Sequence, residues 1–380
     1  MTLSVCMIVG QDTGQLPRAL ASATGMADEI IIAATNGVEE VEKISAPYHA
    51  RVFNFPWTDD FSAARNAAFA NATKDWILWL DCDEWLDPHA CGELASCLQQ
   101  STVLAWLITI ADRSGSDHQP CFSPTPLPRL FRRRAELKLT GRVHEHFNPD
   151  LNITAHQLAL NVKPSNMTVY HDGYNPEREM GKLRRNVRLM ELQLQDFPGQ
   201  LFYQIRLSQA LLKLDDPRAL YFLGEAFNQI RPLLAHGAKP SEPLVAELLD
   251  SVIVRQSRGE FDSGLAVDEL LQAAHRWFPH WPPLIWRQAN RQFKQGRTAD
   301  AAKLLEQILE LACAGTYQQT PSFDAALLGA ETHLNLGICY AKLQRFQDAQ
   351  RCFLLTADDP RRCAVAKRNL ELLAAAQRGR

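Results

Sequence analysis

The sequence predicts an α/β domain built on a mostly parallel sheet with helices on both faces, followed by an all-helical region. Three observations carry this prediction. Short apolar runs alternate with helix-like segments up to about residue 175, the run at 76–80 is apolar on both of its faces, and from about residue 176 the pattern is helical throughout. In order, "LSVCMIV" (3–9) reads as a strand, "QLPRALASATG" (15–25) as a helix closed by Gly25, and "EIIIAA" (29–34) as a second strand. "VEEVEKISAPY" follows as a helix, "ARVFNF" as a strand and "SAARNAAFANAT" as a helix. Alternation of this kind implies parallel strands joined by crossover helices.

The next run is "DWILWLDCDEWL" (75–86). Side chains of an extended chain alternate faces, so Trp76, Leu78 and Leu80 point one way while Ile77 and Trp79 point the other. Such a strand belongs inside a sheet covered on both faces. Its acids, Asp81, Asp83 and Glu84, come where the strand ends, and ligands of open α/β sheets collect beyond the carboxyl ends of strands. If the strand persists, Asp81 and Asp83 project from one side, about 7 Å apart. That spacing suits two carboxylates serving one hard cation and the phosphates it bridges. The competing reading is an acidic turn that caps a following helix.

The chain has 380 residues and a formal charge of -3, which fits two or three domains and gives no basic excess for nucleic acid. With 46% hydrophobic and 22% charged residues it can bury a core, and no apolar run approaches the roughly 18 residues of a membrane span. Its start, "MTLSVCMIVG", reads as a first strand rather than a signal peptide. Nine scattered cysteines without metal-ligand spacing point to free thiols in a reducing cytoplasm. The stretch at 114–131 is dense in proline and polar residues and reads as loop.

In the second half the clearest unit spans 331–360, with Leu336, Gly337, Tyr340, Phe346, Ala349 and Phe353 at the small and large positions of a tetratricopeptide repeat. A looser copy at 284–309 offers Trp286, Ala289, Phe293 and Ala302. Trp286 and His333 share a repeat position yet lie 47 residues apart where about 34 is usual, so an insertion is expected near "GTYQQTPSFD". The expected boundaries are 1–175 for the α/β domain, 176–280 for a helical linker or degenerate repeats, and 281–380 for the repeat region. Stacked helix pairs serve as a docking surface for a protein partner or as a brace for the first half.

"LSVCMIV", "WTDDFSAARNAAFANATKDWILWLDCDE", "PRLFRRR", "GRVHEHF" and "HDGYNPE" occur in that order. Together they resemble bacterial family 2 glycosyltransferases that carry C-terminal tetratricopeptide helices, and the likeness covers most of residues 1–190. The resemblance implies a GT-A fold and transfer of a sugar, with inversion, from a nucleotide-diphosphate sugar to an acceptor such as a protein, peptide or glycan. It implies that Asp81 touches the nucleotide ribose and that Asp83 holds Mn²⁺ or Mg²⁺ on the diphosphate, with Asp81 and His171 as further metal candidates. A cation there offsets the charge of the departing diphosphate. Asp60, Arg65 and Asn66 become candidates for contact with the base or diphosphate, Arg65 in bidentate fashion, the competing reading being Asp60 or Ser62 as a helix cap and Arg65 as a solvated charge. Inverting transfer needs a carboxylate to take the acceptor proton, and Glu145 is the candidate, with Asp172 second. His144 and His171 orient substrate, join the metal or satisfy buried hydrogen bonds, His171 being the better ligand. "RRR" (132–134) and "KLRRN" (182–186) would steer an anionic donor or form solvated helix faces.

Two departures stand out. Relatives carry an acid after the second strand to read the base, where this chain has Ala34, and they have Lys-Asn-Glu after the first strand, where it has "GQDTGQ". Losing a buried acceptor costs about 1–3 kcal/mol unless another group replaces it. Asn36, Asp12 and Glu39 are the substitutes at hand. The departures keep open a second reading, a catalytically degenerate relative that binds a partner through its repeats. A third, a nucleotidyltransferase, lacks a glycine-rich, lysine-bearing phosphate loop after the first strand.

Overall fold

The computed structural model describes residues 1–112, 125–171 and 176–378, and the chain divides into two compact units that meet in sequence at Gly199 and Gln200. In the first unit β1 (Leu3–Val9), α1 (Leu16–Ala23), β2 (Glu29–Ala34), α2 (Val38–Ser45), β3 (Arg51–Asn54), α3 (Phe61–Asn71) and β4 (Trp76–Trp79) follow in the expected alternation. Then come β5 (Glu84–Leu86), α4 (Ala90–Leu98), β6 (Val103–Asp112), β7 (Thr125–Arg132), β8 (Leu139–Thr140), β9 (His146–Phe147), α5 (Leu151–Gln157), β10 (Asn161–His171) and α6 (Pro176–Asp196).

Eight strands form one sheet in the order β3-β2-β1-β4-β7-β6-β10-β5, while β8 and β9 pair separately. The two-faced character of β4 holds. Trp76, Leu78 and Leu80 pack with Leu16 and Leu20 of α1 and Leu94 of α4, while Ile77 and Trp79 pack with Ala64, Ala68 and Phe69 of α3. Helices therefore cover both faces, which is why every residue of β4 is buried.

The sheet is mixed. Pairings among β1 to β4 are parallel, as is β6 with β10, but β7 runs antiparallel between β4 and β6, and β5 antiparallel to β10. Part of the proline-rich stretch expected as loop is thus a central strand; the rest of it lies outside the described residues. The register explains how proline is accommodated. Pro126 and Pro128 pair only with β6, while contact with β4 is confined to Leu130–Arg132, so the missing N–H groups fall beyond the reach of β4.

Four residues join β4 to β5, four positions away in the sheet, a span of about 19 Å if flat. The linker is not extended, because the Glu84 N–H closes a turn on the Asp81 carbonyl at 3.0 Å. Only a curled sheet permits this. The curl also brings Arg18 of α1 over the ring of Trp85 at 3.3 Å.

Helix α6 clusters with the first unit, which ends at Gly199, 24 residues beyond the boundary at 175 that composition indicated. In the second unit, α7 (Leu201–Lys213), α8 (Ala219–His236), α9 (Val245–Ser257), α10 (Val267–Trp277), α11 (Pro282–Lys294), α12 (Thr298–Ala314), α13 (Ala330–Lys342), α14 (Phe346–Leu354) and α15 (Cys363–Arg378) surround two apolar cores. Gly337 fits its repeat position for a steric reason: a Cβ there would lie 2.6 Å from the ring of Phe353, so only glycine lets α13 and α14 approach this closely. The expected insertion is the segment between α12 and α13, which includes a short 3₁₀ turn at Ala325–Leu328. Among the described residues no helix is long and apolar enough to cross a membrane, and the eight described cysteines are all free.

Candidate active site

Beyond the carboxyl ends of β1, β2 and β4 lies a cavity of about 1010 Å³, formed wholly by the first unit. Gln11 and Asp12 line it after β1, Thr35 and Asn36 after β2, and Asp81, Cys82 and Asp83 after β4. Trp57, Phe61, Arg65, His144, Glu145, His171 and, from α6, Lys182, Arg185 and Asn186 also line it. The α6 residues are spaced i, i+3 and i+4, so one face of that helix looks onto the cavity.

The linker turn changes the geometry expected for the acids. Asp81 and Asp83 do not alternate along a continuing strand, since the strand stops at Trp79 and the turn gives each carboxylate its own set of partners. Asp81 Oδ1 accepts from Arg65 Nη1 at 2.5 Å and from Trp79 Nε1 at 3.1 Å, and Arg129 Nη2 stands 3.6 Å from Oδ2. Burial alone would raise its pKa, but Arg65 and Arg129 outweigh that and hold the carboxyl well below the usual range. Both guanidinium groups lie 4.2 Å from the centroid of Trp79, so the indole ring sets their positions by cation–π contact. Arg129 Nη2 also donates to Glu84 Oε1 at 2.8 Å. Burial pushes the Glu84 carboxyl up to about 7; Arg129 pulls it down and the neighbouring Asp81 charge pushes it up again.

Arg65 is the hinge of this arrangement. Its Nε donates to Glu145 Oε1 at 2.7 Å while Nη1 holds Asp81, and its side chain is only 9% exposed. The bidentate partner foreseen as a phosphate is therefore a pair of protein carboxylates. Glu145 arrives on the loop between β8 and β9, whose Gly141 (φ 99°) and His144 (φ 57°) are left-handed. Asn66 pins that loop by pairing its carboxamide with both the N–H and the carbonyl of Leu139, at 2.9 and 2.8 Å. Asp60 accepts from the Ala63 N–H at 2.9 Å as the N-cap of α3. Neither Asp60 nor Asn66 lines the cavity, so the two candidates for donor contact are engaged in holding α3 and β8.

Asp83 is placed differently. Its Oδ2 lies 3.2 Å from His171 Nε2 and 3.6 Å from Lys182 Nζ. Burial would raise its pKa, yet the His171 contact and Lys182 bring it below the ordinary value. The Asp83 carboxylate suits a hard divalent cation and the His171 imidazole nitrogen a first-row transition ion such as Mn²⁺, whereas both oxygens of Asp81 already face guanidinium groups. No group of three His, Cys, Asp or Glu close enough to enclose an ion occurs among the described residues. An ion held by Asp83 and His171 would complete its shell with substrate oxygens and water, as Mg²⁺ does in phosphate chemistry. Burial and the flanking carboxylates push the Cys82 thiol, between the two acids, up to about 12.

Ala34 is fully buried in the core and does not line the cavity; of the proposed substitutes Asp12 and Asn36 do and Glu39 does not. Asp172 lies outside the described residues. Arg129 is the residue that reading the sequence for motifs passed over. An arginine within the apolar strand "PLPRLF" was the available signal, since a charge buried there needs a carboxylate partner.

The family model described as Glycosyl transferase family 2 matches residues 4–149. A TPR repeat-containing protein of Synechococcus elongatus is 32% identical over 292 residues, covering 72% of this chain and 68% of that one. The SPbeta prophage-derived glycosyltransferase SunS of Bacillus subtilis is 27% identical over 236 residues, covering 60% of this chain and 54% of its own. Among solved structures, S. aureus TarS 1-349 in complex with UDP-GlcNAc superposes with a TM-score of 0.40 at 12% identity over 78% of this chain and 92% of that one, too loosely to bear on the donor.

Proposed function

Because the chain belongs to the family 2 glycosyltransferases, with a tetratricopeptide-like unit after the catalytic one, we propose that its cavity moves a sugar from a nucleoside-diphosphate sugar to a nucleophilic acceptor with inversion. The observation that carries the reading is that Arg65 ties Glu145 to the Asp81 corner of the same cavity that Asp83, His171 and Lys182 line. Glu145 takes the acceptor proton as the acceptor attacks the anomeric carbon opposite the departing diphosphate. Arg65 holds Glu145 in place for that transfer. Asp12 and Asn36 are assigned to the nucleotide base in place of the acid that Ala34 lacks. Asp83 and His171 would hold Mn²⁺ or Mg²⁺, which when bound neutralises charge developing on the diphosphate.

The repeat unit is read as a surface for a protein partner, the common use of stacked helix pairs. A reducing cytoplasm agrees with the free cysteines. A panel of nucleotide sugars tested for thermal stabilisation checks the donor class. With Mn²⁺ present, a uridine- or guanosine-diphosphate sugar should raise the melting temperature by several degrees, as a ligand that binds only the folded chain must. A flat panel counts against donor binding.

A further inference from the structure

Asp83 has a cation beside it already. Lys182 Nζ lies 3.6 Å from Asp83 Oδ2, the oxygen that His171 also approaches. The Lys182 side chain is 38% exposed and that of Asp83 33%, so this is a half-exposed pair on a long, flexible stem, of a kind worth little in stability and easily parted. One turn along α6, Arg185 also lines the cavity. Its guanidinium lies 4.9 Å from the Phe61 ring and reaches Asn186 Oδ1 at 3.2 Å, with no carboxylate within ion-pair distance among the described residues.

A divalent ion seeking Asp83 Oδ2 must therefore displace an ammonium group. Once displaced, Lys182 joins Arg185 as positive charge on the cavity wall, and that charge calls for an anion. Two phosphates answer it. We infer that Lys182 is an exchangeable counter-ion, resting on Asp83 while the cavity lacks a donor and moving to the donor diphosphate when a divalent cation takes its place. The inference rests on the assignment of Asp83 to the cation. It makes cation and diphosphate binding mutually reinforcing: each alone meets an unfavourable charge, and each relieves that of the other by the same factor.

The test follows Mn²⁺ by the paramagnetic resonance signal of the free ion, with and without uridine diphosphate or guanosine diphosphate, in the full chain and in K182Q, K182R and D83N. In the unaltered protein Mn²⁺ alone binds weakly and the nucleoside diphosphate tightens it. Removing the competitor in K182Q should tighten Mn²⁺ alone by about fivefold. The same change should weaken the nucleoside diphosphate at saturating Mn²⁺ by about tenfold, because an ammonium–phosphate contact is lost. K182R, which keeps the charge, should stay near the unaltered protein. Exchange is overturned if K182Q leaves both affinities unchanged or lowers both together, or if neither nucleoside diphosphate tightens Mn²⁺. Mn²⁺ binding that D83N does not weaken has a different meaning: it removes the cation from Asp83 and so refutes the underlying assignment.

Discussion

Replacing Glu145 by glutamine is expected to cut turnover by about 10²–10⁴-fold, the span typical of a lost general base, while nucleoside-diphosphate affinity stays close to that of the unaltered enzyme. Glutamine keeps the length and the carbonyl oxygen, so Arg65 Nε still finds the acceptor it now has at 2.7 Å. The loop between β8 and β9 keeps its anchors, because Asn66 holds Leu139 and the Arg142 N–H donates to Gln193 Oε1 at 3.1 Å without help from residue 145. What disappears is the capacity to accept a proton. Steady-state rates beside calorimetric donor binding separate the two effects. Turnover that survives in E145Q moves the base elsewhere, with Asp172 the next residue to change.

Arg65→Leu is expected to destabilise the first unit by about 3–5 kcal/mol, the usual result of removing one partner from a buried ionic cluster. The guanidinium serves two carboxylates whose side chains are 26% and 10% exposed, and leucine leaves Glu145 without it and Asp81 with the Trp79 N–H at 3.1 Å and Arg129 at 3.6 Å. The sign of the pH dependence follows from Asp81, whose folded carboxyl is held below its ordinary value. Such a group adds stability above its unfolded pKa, about 3.9, and loses that contribution as the pH falls toward the folded value. The gap between the two proteins should therefore be widest near neutral pH and narrow in acid, where protonated carboxyls need no guanidinium. Urea melts followed by tryptophan emission at pH 7 and at about pH 2 measure it, because the contribution is lost only below the unfolded pKa; an equal gap at both would mean that Arg65 stabilises by packing against Trp79 and not by charge. Arg65→Lys should recover part of the loss, since an ammonium lacks the fork that reaches both acids.

How much of the fold and the site is legible in the sequence depends on the range of the interactions. The two-faced packing of Trp76 to Leu80, the cap at Asp60 and the repeat positions around Gly337 are set by neighbours within a few residues or by periodicity, and all could be read from the chain. Long-range pairing could not. Composition marked 114–131 as loop, yet residues 125–131 form a strand because the preceding β6 and the more distant β4 offer them edges in a register that keeps the prolines beyond the reach of β4. The spacing of Asp81 and Asp83 suggested a shared task. Their separation into an arginine-held acid and a cation-facing acid depends on Arg65, Arg129, His171 and Lys182, which are spread over more than a hundred residues.

Calorimetric titration of uridine diphosphate and guanosine diphosphate with and without Mn²⁺, on the unaltered protein and on Asp83→Asn, goes most directly to the claim that this cavity grips a donor diphosphate through a cation at Asp83. The expected result is at least about a tenfold gain in affinity on adding Mn²⁺ for one of the two nucleotides, and no gain in the variant. An equal gain in both proteins, or none in either, would contradict it.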